Sequence, residues 1–503
     1  MKARIDTVLG RVTMYRLMVL VLGAIALVAL VASSLGQLFY TPLQLVLSLI
    51  VALVATMVSS WVLALAFRTR AHLESSAITG ILVFFVFMPT ADAGALLLLA
   101  LSGVVASASK FVLAVRGRHI SNPVAVAAVV MTITTLNLSA WWVANPVLLP
   151  FVAVGALIVL YRTRKIAVGL TFVVLATAIV TVRLVLVGQP LLDSLWLALG
   201  SFPIVFLAGF MLSEPLTLPP RRRQQLAVAA VVAVLFSIPY SFGPVYASPE
   251  IALVVGNAVA FAFGQRRGIR LRFVGRRALT PTTAAFDFEP VKPVRFRAGQ
   301  YLELTVPHRR VDSRGSRRMF SIASSPDDEA LVSVGVKLSQ PSSSFKQALV
   351  DLAPGATVRS TWVGGDFLLP ADPGVPLVLA AGGIGITPFV SQLAERARGI
   401  GRPVDVVLVY AVSSAEELAY APELVAAGIR VLVVAPTEPV DLPRGWEYLG
   451  AGRVTAAALG AAIGDLEGRR AYVSGPPGFV DHVSTEFRRA GVRRVHRDFF
   501  SGY

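Results

Sequence analysis

Hydrophobic positions are distributed unequally along the 503-residue chain. Before residue 265 the sequence consists mostly of long apolar runs separated by short polar segments. From residue 272 onward, short apolar runs alternate with polar residues. Because a membrane span needs about 20 apolar residues, the pattern predicts a polytopic α-helical membrane domain. The rest of the chain is long enough for two water-soluble lobes.

Ten apolar runs in the first region are candidates for membrane spans. They cover 15–35, 42–66, 76–89, 92–113, 122–138, 141–161, 166–187, 191–213, 224–241 and 248–265. Alternate loops lack Lys and Arg, while the loops between them carry clusters of arginine. Basic residues favour the cytoplasmic side of a bilayer. We therefore expect a multi-pass protein of the cell membrane with both termini in the cytoplasm.

Two interior stretches of this region resemble each other. "AITGILVFFVFMPT" (77–90) and "FPIVFLAGFMLSEPLTLPP" (202–220) each run from small residues into an aromatic stretch that ends in Met and Pro. They fall in the third and eighth runs, which predicts an inverted repeat of two five-span halves. Broken helices in such repeats line sites near the midplane, although Gly and Pro are also frequent in ordinary membrane helices.

The second region switches from strands alone to alternating strands and helices. Five short strands between residues 271 and 363 predict a small antiparallel β-barrel. After Pro373, strands alternate with helices expected at 387–398, 415–427 and 477–490, which predicts a doubly wound α/β sheet. We expect three domains, namely a membrane domain over 1–265, a barrel over 266–371 and a nucleotide-binding lobe over 372–503.

The stretch "AAGGIGITPF" lies at the first strand-to-helix turn of the α/β lobe. Gly382, Gly383 and Gly385 follow a strand, and Thr387 begins a helix. At such a turn, glycines let backbone amides approach a pyrophosphate at a helix N-terminus. Glycines also form ordinary turns, so the motif alone leaves both interpretations open.

Charge and rare residues exclude several classes of function. The net charge of +17 reflects arginines at the ends of apolar runs, where membrane orientation explains them better than nucleic-acid binding. The sequence contains no cysteine, which excludes Cys-ligated iron–sulfur clusters. Only His72 and His119 precede residue 300, so no stacked histidine pair for heme is available. No metal site is expected.

Six motifs of the second region resemble those of the ferredoxin–NADP reductase family, in that family's order. They are "GQYLEL" (299–304), "RRMFSIAS" (317–324), "GGDFLL" (364–369), "GGIGITP" (382–388), "VSGPPGF" (473–479) and the terminal "DFFSGY" (498–503). The resemblance implies an FAD-binding barrel beside an NAD(P)-binding lobe. It also implies hydride transfer by face-to-face stacking of nicotinamide on flavin, in which the protein supplies geometry.

The resemblance implies specific roles for residues of the barrel. Arg318 would bind the FAD pyrophosphate, Phe320 would contact the isoalloxazine ring, and the catalytic Ser321 would lie near flavin N5. The remaining FAD-binding residues implied in the barrel are Gln300, Tyr301, Met319, Val336, Lys337, Ser343 and Ser344.

The same resemblance assigns residues of the α/β lobe. Those expected to contact the nicotinamide dinucleotide are Gly383, Gly385, Ile386, Thr387, Pro388, Ser474, Gly475, Pro476 and Pro477. Phe499, Phe500 or the catalytic Tyr503 would cover the flavin until nicotinamide displaces them. NADH or NADPH is left open, since Ser413 and Ser414 could take a 2′-phosphate whereas Glu416 and Glu417 would repel it.

Three motifs of the first region resemble a family of membrane flavoproteins. "ESSAITGILVFFVFMP" (74–89), "GRHISNPVAV" (117–126) and "FMLSEPLTLPP" (210–220) are similar to the D subunit of the Rnf complex and the B subunit of sodium-pumping NADH:quinone reductase. The family implies a ten-helix scaffold that carries flavin. Its covalent flavin-attachment motif is missing, so a non-covalent FMN or riboflavin is expected.

Candidate contacts for that second flavin are Thr79, Gly80, Asn122, Pro123, Ser213 and Glu214. The alternative is that buried polar residues such as Asn122 and Glu214 only cap broken helix ends. Lys110 is expected to extend to the cytoplasmic surface. Arg183 would either anchor its helix at the interface or hold an anionic flavin or quinone oxygen.

These expectations combine into a membrane oxidoreductase. Electrons from cytosolic NAD(P)H would pass through FAD into the membrane domain, and from there to an extracytoplasmic acceptor such as a flavinylated protein. One alternative is an NAD(P)H:quinone reductase whose path ends in the bilayer. The other is a redox-driven ion transporter, against which the shortage of intramembrane carboxylates argues.

Overall fold

The computed structural model describes residues 12–67, 69, 71–115, 118–243, 245–264, 268–309, 311–312, 315–338, 342–399 and 405–500. The chain forms two compact units, a helical unit over Val8–Arg266 and a C-terminal unit over Arg267–Tyr503. Each is described by itself below.

The helical unit consists of helices that share one apolar core. They are α1 (Met14–Ser34), α2 (Pro42–Ala66), α3 (Leu73–Val86), α4 (Ala93–Val112), α5 (Pro123–Ile133), α6 (Leu149–Thr163), α7 (Ile166–Leu186), α8 (Leu191–Ser201), α9 (Ile204–Phe206, continued by a π-helix over Leu207–Leu212), α10 (Arg222–Ser237) and α11 (Pro249–Gly264). Several begin at side-chain caps that satisfy free backbone amides. Thr41 forms a capping box with Gln44, and Asp92 caps α4.

Four of these helices are long and apolar enough to cross a membrane, namely α1, α2, α4 and α7. A fifth span results if α8 and the α9 segment, which meet at a 49° bend, are taken as one. The remaining apolar helices of the described residues are shorter, including α3 and α5. The ten predicted spans and the inverted repeat therefore stay predictions.

The region predicted as spans 122–138 and 141–161 is helical over a smaller range. Helix α5 ends at Ile133 and α6 begins at Leu149. Between them, Thr135 and Trp141 have positive φ angles of 56° and 47°, which an α-helix does not accept. Asn145 precedes a proline, which also disfavours helix. Trp141 and Trp142 are nevertheless buried, so this non-helical segment is part of the core.

The two stretches that resemble each other differ in structure. Helix α3 ends at Val86, and Phe87 is extended and forms a β-bridge with Ser139. The second stretch begins with a break at Phe202 and Pro203 and continues as the π-helix. Both stretches therefore interrupt regular helix inside the unit, but only the second contains a break between two helices.

The barrel lobe of the C-terminal unit is a six-stranded antiparallel sheet. Its strands are β1 (Ile269–Thr280), β2 (Thr283–Pro290), β3 (Tyr301–Thr305), β4 (Arg317–Ser321), β5 (Val332–Lys337) and β6 (Thr357–Gly364), in the order β4-β3-β6-β1-β2-β5. Helix α12 (Ser344–Val350) lies between β5 and β6 in the chain. Alternate side chains such as Leu271, Phe273 and Phe286 fill the core, as expected for strands with one buried face. All five predicted strands are present.

The second lobe is a six-stranded parallel sheet with helices between its strands. The strands are β7 (Leu377–Gly382), β8 (Val406–Ala411), β9 (Arg430–Val434), β10 (Trp446–Gly450), β11 (Arg470–Gly475) and β12 (Val495–Phe499), in the order β10-β9-β8-β7-β11-β12. The helices are α13 (Thr387–Gly399), α14 (Ala421–Ala426), α15 (Ala456–Ala462) and α16 (Pro477–Arg489). This confirms the predicted barrel and doubly wound lobe.

Three features of this lobe differ from the sequence prediction. The helix expected over 415–427 is a short 3-10 turn followed by α14, because Tyr420 has a φ of 62° and Pro422 follows it. Strand β10 and helix α15 were not predicted. Their segments are short and weakly apolar, so the sequence pattern did not reveal them.

Candidate functional site

The carboxyl ends of β7 and β11 meet at a glycine-lined edge of the parallel sheet. Strand β7 ends at Gly382, and a 3-10 turn over Gly383–Ile386 leads directly into α13. Strand β11 ends at Gly475, which is followed by Pro476 and α16. Two neighbouring strands thus each deliver a turn and a helix N-terminus to one edge, the arrangement that binds dinucleotides in such sheets.

The two turns approach each other too closely for side chains. A Cβ on Gly385 would lie 2.4 Å from the Ser474 carbonyl oxygen and 2.7 Å from the Gly475 Cα. Gly475, at φ +147°, would place a Cβ 3.0 Å from the Gly382 carbonyl oxygen. Gly383, at φ +52°, faces open space. The glycines therefore serve two purposes, close packing at Gly385 and an open backbone surface at Gly383.

The predicted nicotinamide contacts are gathered around this edge. Thr387 donates a hydrogen bond to the Ile384 carbonyl at 3.0 Å, and Ile386 is fully buried. The Ser474 hydroxyl is buried and has no hydrogen-bond partner among the described residues. An unsatisfied buried hydroxyl is costly, so Ser474 is suited to bind a ligand. Pro388 and Pro477 occupy first turns of α13 and α16, where the missing N–H costs little.

The end of the chain approaches the same edge. The Phe500 amide donates to the Gly475 carbonyl oxygen at 2.8 Å. The C-terminal segment whose aromatic residue is predicted to cover the flavin therefore lies beside the glycines. Tyr503, predicted as catalytic, lies outside the described residues.

In the barrel lobe, β3 and β4 bring the other predicted residues together. Tyr301 and Ser321 are cross-strand partners, and Ser321 is buried. Gln300 is 2% exposed and donates to the Gly365 carbonyl oxygen at 3.2 Å. Gly299, at φ +89°, would clash with the Phe367 carbonyl oxygen at 2.2 Å if it carried a Cβ. The side-chain amide of Gln300 and the close approach of the backbone at Gly299 therefore fix this segment.

The two predicted FAD-phosphate segments are adjacent in the structure. Arg318 is 8% exposed, and its guanidinium lies 5.2 Å from the centre of the Phe345 ring in α12. The amide of Ser344 donates to Asp312 Oδ2 at 3.2 Å, and Arg318 Nη2 lies 3.7 Å from Asp312 Oδ1. The Asp312 carboxylate thus contacts both the Ser344 amide and the Arg318 guanidinium, the two groups predicted to bind the FAD phosphates. This donor set fits an anionic pyrophosphate.

Other predicted barrel residues have mixed surroundings. Phe320 stacks on Phe345 with ring centres 5.8 Å apart, and Met319 is half exposed. Val336 turns its side chain into the barrel core, so only its main chain is available to a cofactor. The Lys337 carbonyl oxygen accepts from Lys346 Nζ at 2.6 Å.

Ser343 caps α12 by accepting from the Lys346 amide. The Ser344 hydroxyl accepts from the Asp312 amide at 3.0 Å. Both hydroxyls thus have partners in the protein, and the phosphate role assigned to them stays a prediction.

Two aromatic residues near the site were missed by sequence reasoning. Trp362 packs edge-on against the Tyr301 ring at 5.4 Å, and its indole N–H is buried without a partner among the described residues. Tyr420 lies beside Gly335 and Thr387, and burial raises the pKa of its hydroxyl well above the ordinary value. The only sequence signal was a lone aromatic residue in each case.

Glu417 joins the two lobes of the C-terminal unit. Its carboxylate accepts hydrogen bonds from Thr282 at 2.8 Å and from Thr280 at 3.1 Å. The carboxylate is therefore directed at barrel hydroxyls, and its expected role in repelling a 2′-phosphate stays a prediction. Glu416 is exposed and remains available to influence the choice between NADH and NADPH.

In the helical unit, Asn122 and Glu214 form part of one polar cluster. Asn122 Nδ2 donates to Glu214 Oε2 at 3.0 Å, and Glu214 Oε1 lies 2.8 Å from His119 Nε2. Asn122 Oδ1 caps α5 at the Val124 and Ala125 amides. His119 was not among the predicted contacts for a second flavin.

The other predicted contacts for a second flavin serve packing or capping. The Thr79 hydroxyl donates to the Ser75 carbonyl oxygen of its own helix, and the Ser213 hydroxyl donates to that of Gly209. A Cβ on Gly80 would lie 2.9 Å from the Leu53 Cα, so this glycine lets α2 and α3 pack closely. Pro123 opens α5.

The cluster residues satisfy one another, and among the described residues none leaves a buried polar atom open. The second flavin expected at this position therefore stays a prediction.

Two basic residues of the helical unit have main-chain partners. Lys110 Nζ donates to the Ser75 carbonyl oxygen at 3.0 Å, and Arg183 donates to that of Ser237 at 2.5 Å. Arg183 thus satisfies a carbonyl at the end of α10.

Comparisons with known proteins identify relatives of the C-terminal unit. A family model described as an oxidoreductase NAD-binding domain matches residues 379–485. The aromatic O-demethylase reductase subunit of an Amycolatopsis species is 31% identical over 221 residues, which is 42% of this chain and 62% of that protein. The oxidoreductase NAD-binding domain-containing protein 1 of Bos taurus is 30% identical over 231 residues, 41% of this chain and 71% of that protein.

A solved structure also aligns. The crystal structure of an Amycolatopsis cytochrome P450 reductase has a TM-score of 0.40 and 28% identity, covering 46% of this chain and 70% of that one. The chain spans about three fifths of the length of the first curated relatives, 62% and 60% for the first two.

Proposed function

The chain belongs to the oxidoreductase NAD-binding-domain family with a ferredoxin–NADP reductase-like module, and we propose that it passes electrons from NAD(P)H through FAD into its helical unit. The module is that of an FAD-dependent NAD(P)H oxidoreductase. The helical unit would carry the electrons to an acceptor on the other side of the cell membrane.

The observation that carries this proposal is the contact between Gly385 and the Ser474–Gly475 turn. It produces an edge of open backbone beside the buried Ser474 hydroxyl. Backbone N–H groups at helix N-termini bind phosphates without needing a charged side chain. The edge therefore fits the pyrophosphate of a dinucleotide.

Besides a dinucleotide site, the proposal requires a flavin site close to the glycine edge. Gly335 of β5 lies against Thr387 at the start of α13, so the barrel and the glycine edge meet within one unit. FAD, when bound, supplies hydride acceptance and one-electron release. Arg318 would hold its pyrophosphate, and the β3–β4 pair with Tyr301 and Ser321 would orient its ring.

The protein's contribution to the reaction is positional. No general acid or base is required for hydride transfer between stacked rings, since the reactivity belongs to the cofactors. Phe500, bonded through its amide to Gly475, would exclude water from the ring face until nicotinamide occupies it.

The proposed transfer of electrons into the helical unit rests on the fact that both units belong to one polypeptide chain. In the described part of that unit, four helices are long and apolar enough to span a bilayer. We propose a cell-membrane location, with the C-terminal unit in the cytoplasm and an extracytoplasmic acceptor such as a flavinylated protein. The names of two relatives, a reductase subunit and a ferredoxin–NAD(+) reductase component, support a role as electron donor to another protein.

Proteoliposomes test this proposal. The full chain is reconstituted with the C-terminal unit outward, NAD(P)H is added outside, and an impermeant one-electron acceptor is enclosed. Reduction of the enclosed acceptor supports the transmembrane path. Reduction of a lipid-soluble quinone alone would replace it by a path that ends in the bilayer. A simultaneous pH or Na⁺ signal would indicate coupled ion movement.

A further inference from the structure

A cavity separate from the glycine edge lies between the two lobes of the C-terminal unit. Its volume is about 310 Å³, near the lower end for small-molecule sites. It is bounded by the linker that follows β6, by the turn before β3 and by the second half of α13. The residues that line it and carry polar groups are Arg297, Gln392, Glu395 and Arg396.

Arg396 is a buried cation without a carboxylate partner in the described part of the chain. It is 8% exposed, and Nη2 makes only long contacts of 3.4 and 3.3 Å with the carbonyl oxygens of Pro370 and Asp372. Its Nη1 is buried and has no hydrogen-bond partner there. Burying an unpaired charge is costly, so a bound anion would stabilise this arrangement.

A second arginine of the same unit shows how the fold neutralises such a group. Arg469 is also 8% exposed, but it lies 2.7 Å from a carboxylate oxygen of Asp405 and 2.7 Å from one of Asp465. The equally buried Arg396 has no carboxylate within ion-pair distance in the described part of the chain, and of the carboxylates only the more distant Asp372 and Glu395 act on its charge. The difference points to a ligand that is not part of the chain.

The side chain of Gln392 indicates a second feature of the ligand, a hydrogen-bond donor. This side chain is 1% exposed, and its Nε2 donates to the Phe367 carbonyl oxygen at 2.7 Å, which fixes the orientation of the amide. Its Oε1 is buried without a partner among the described residues. A carbonyl oxygen accepts hydrogen bonds only, so the ligand should offer a hydroxyl or amine.

The other charged residues of the cavity favour an anion. Arg297 is exposed at its margin and adds a second guanidinium. Among the described residues of the lining, Glu395 is the one carboxylate, and desolvation together with Asp327 raises the pKa of its carboxyl above the ordinary value. Its carboxylate would oppose an anion, so the two guanidiniums of Arg297 and Arg396 must outweigh it.

We propose that this cavity binds a small organic oxyanion that carries a hydroxyl group. The oxyanion would bind Arg396 Nη1 and Arg297, and the hydroxyl would donate to Gln392 Oε1. The ligand would contact both the linker and α13. Because α13 begins at Thr387 on the glycine edge, occupancy would stabilise the two lobes against each other.

Calorimetric titration of the full FAD-loaded chain in detergent tests the proposal. Glycerol 3-phosphate and lactate represent phosphate and carboxylate oxyanions, and glycerol is the neutral control. We expect saturable binding of at least one anion and none of glycerol. The anion that binds identifies the oxyanion type.

Variants place the binding in this cavity. Arg396→Gln should weaken binding about tenfold or more, because it removes a charge-assisted hydrogen bond. Gln392→Leu should weaken it by a smaller factor. Arg295→Ala, an exposed arginine two residues from Arg297 that does not line the cavity, should leave affinity within about twofold.

Failure would take one of two forms. Absence of saturable binding for both anions would mean that the cavity holds only water. Equal binding by wild type and Arg396→Gln would place the anion elsewhere, for example at the glycine edge. If Arg396→Gln fails to fold, as judged by loss of FAD, Arg297→Gln replaces it and should weaken binding at least threefold. These results do not depend on electron transfer, so they are separable from the proposed function.

Discussion

Asp312 lies against Arg318, with Oδ1 3.7 Å from Nη2, and its other carboxylate oxygen accepts from the Ser344 amide. The two groups that bind this carboxylate are those assigned to the FAD pyrophosphate. If these groups bind the FAD pyrophosphate as predicted, Asp312 lies where the cofactor anion would bind. FAD would have to compete with it.

Replacing Asp312 by Asn should strengthen FAD binding. The substitution removes a negative charge that repels the pyrophosphate. Asp312 is 31% exposed and lies 3.7 Å from Arg318, so this long and partly solvated contact should be worth no more than about 1 kcal/mol. We expect up to about a fivefold lower dissociation constant for FAD, measured by flavin fluorescence on the apoprotein. Glu329→Gln, an exposed carboxylate of the same lobe, is the control. Weaker FAD binding in Asp312→Asn would show that Asp312 orients Arg318 rather than competing with FAD.

Replacing Arg318 by Ala should have the opposite effect. Hydrogen bonds to a charged group are worth about 1.5–3 kcal/mol, so the dissociation constant for FAD should rise about 10-fold to 150-fold. Arg317→Ala changes the neighbouring arginine on the other face of β4 and should cost much less. Retention of full FAD affinity by Arg318→Ala would place the pyrophosphate elsewhere.

Replacing Gly385 by Ala tests the glycine edge. The added Cβ would lie 2.4 Å from the Ser474 carbonyl oxygen, and overpacking of this kind costs about 1–3 kcal/mol. We expect flavin reduction by NAD(P)H to slow at least about fivefold, while FAD content stays unchanged. Gly460→Ala in α15, where a Cβ meets no atom within 4 Å, is the matched control. Stopped-flow absorbance measures both, and unchanged reduction in Gly385→Ala would argue against dinucleotide binding at this edge.

The local parts of the site were predictable, whereas its long-range contacts were not. A strand, a glycine turn and a helix start are encoded by adjacent residues, so the segment around Gly383 and Thr387 was predicted correctly. The cluster of Asp312, Arg318 and Ser344 joins segments up to 32 residues apart, which no local pattern specifies. Positive φ angles at Thr135 and Trp141 likewise depend on tertiary packing, so the ends of α5 and α6 were misplaced.

Glu417 illustrates the same limit. Its sequence position after β8 suggested a charge facing the cofactor, but its carboxylate bonds to Thr282, 135 residues away. Glu417→Gln should therefore lower the stability of the C-terminal unit by about 1–3 kcal/mol and leave the ratio of NADH to NADPH activity unchanged. Glu416→Gln should shift that ratio toward NADPH without a stability loss.

Steady-state kinetics with both nucleotides and thermal unfolding test this assignment. A change of nucleotide preference in Glu417→Gln, with stability preserved, would restore the original interpretation of a cofactor-facing carboxylate.

A substitution in the cluster of His119, Asn122 and Glu214 should affect electron transfer through the helical unit but not flavin reduction in the C-terminal unit. Glu214→Gln weakens the contact to His119. If the predicted second flavin lies beside this cluster, transfer through the helical unit to an enclosed acceptor should slow severalfold. Reduction of FAD by NAD(P)H takes place in the C-terminal unit and should stay unchanged. Asp193→Asn, an exposed carboxylate near the start of α8, is the control. Equal transfer rates in all three proteins would show that the cluster is only structural.

The central claim is that NAD(P)H delivers electrons to FAD held by the C-terminal unit. The most direct measurement is an anaerobic titration of the purified full chain with NADH and with NADPH, monitored by visible absorbance. The account predicts a yellow protein with stoichiometric FAD whose flavin absorbance is bleached by at least one of the two nucleotides. A purified protein that remains colourless after incubation with FAD, or a bound flavin that neither nucleotide reduces, would contradict it.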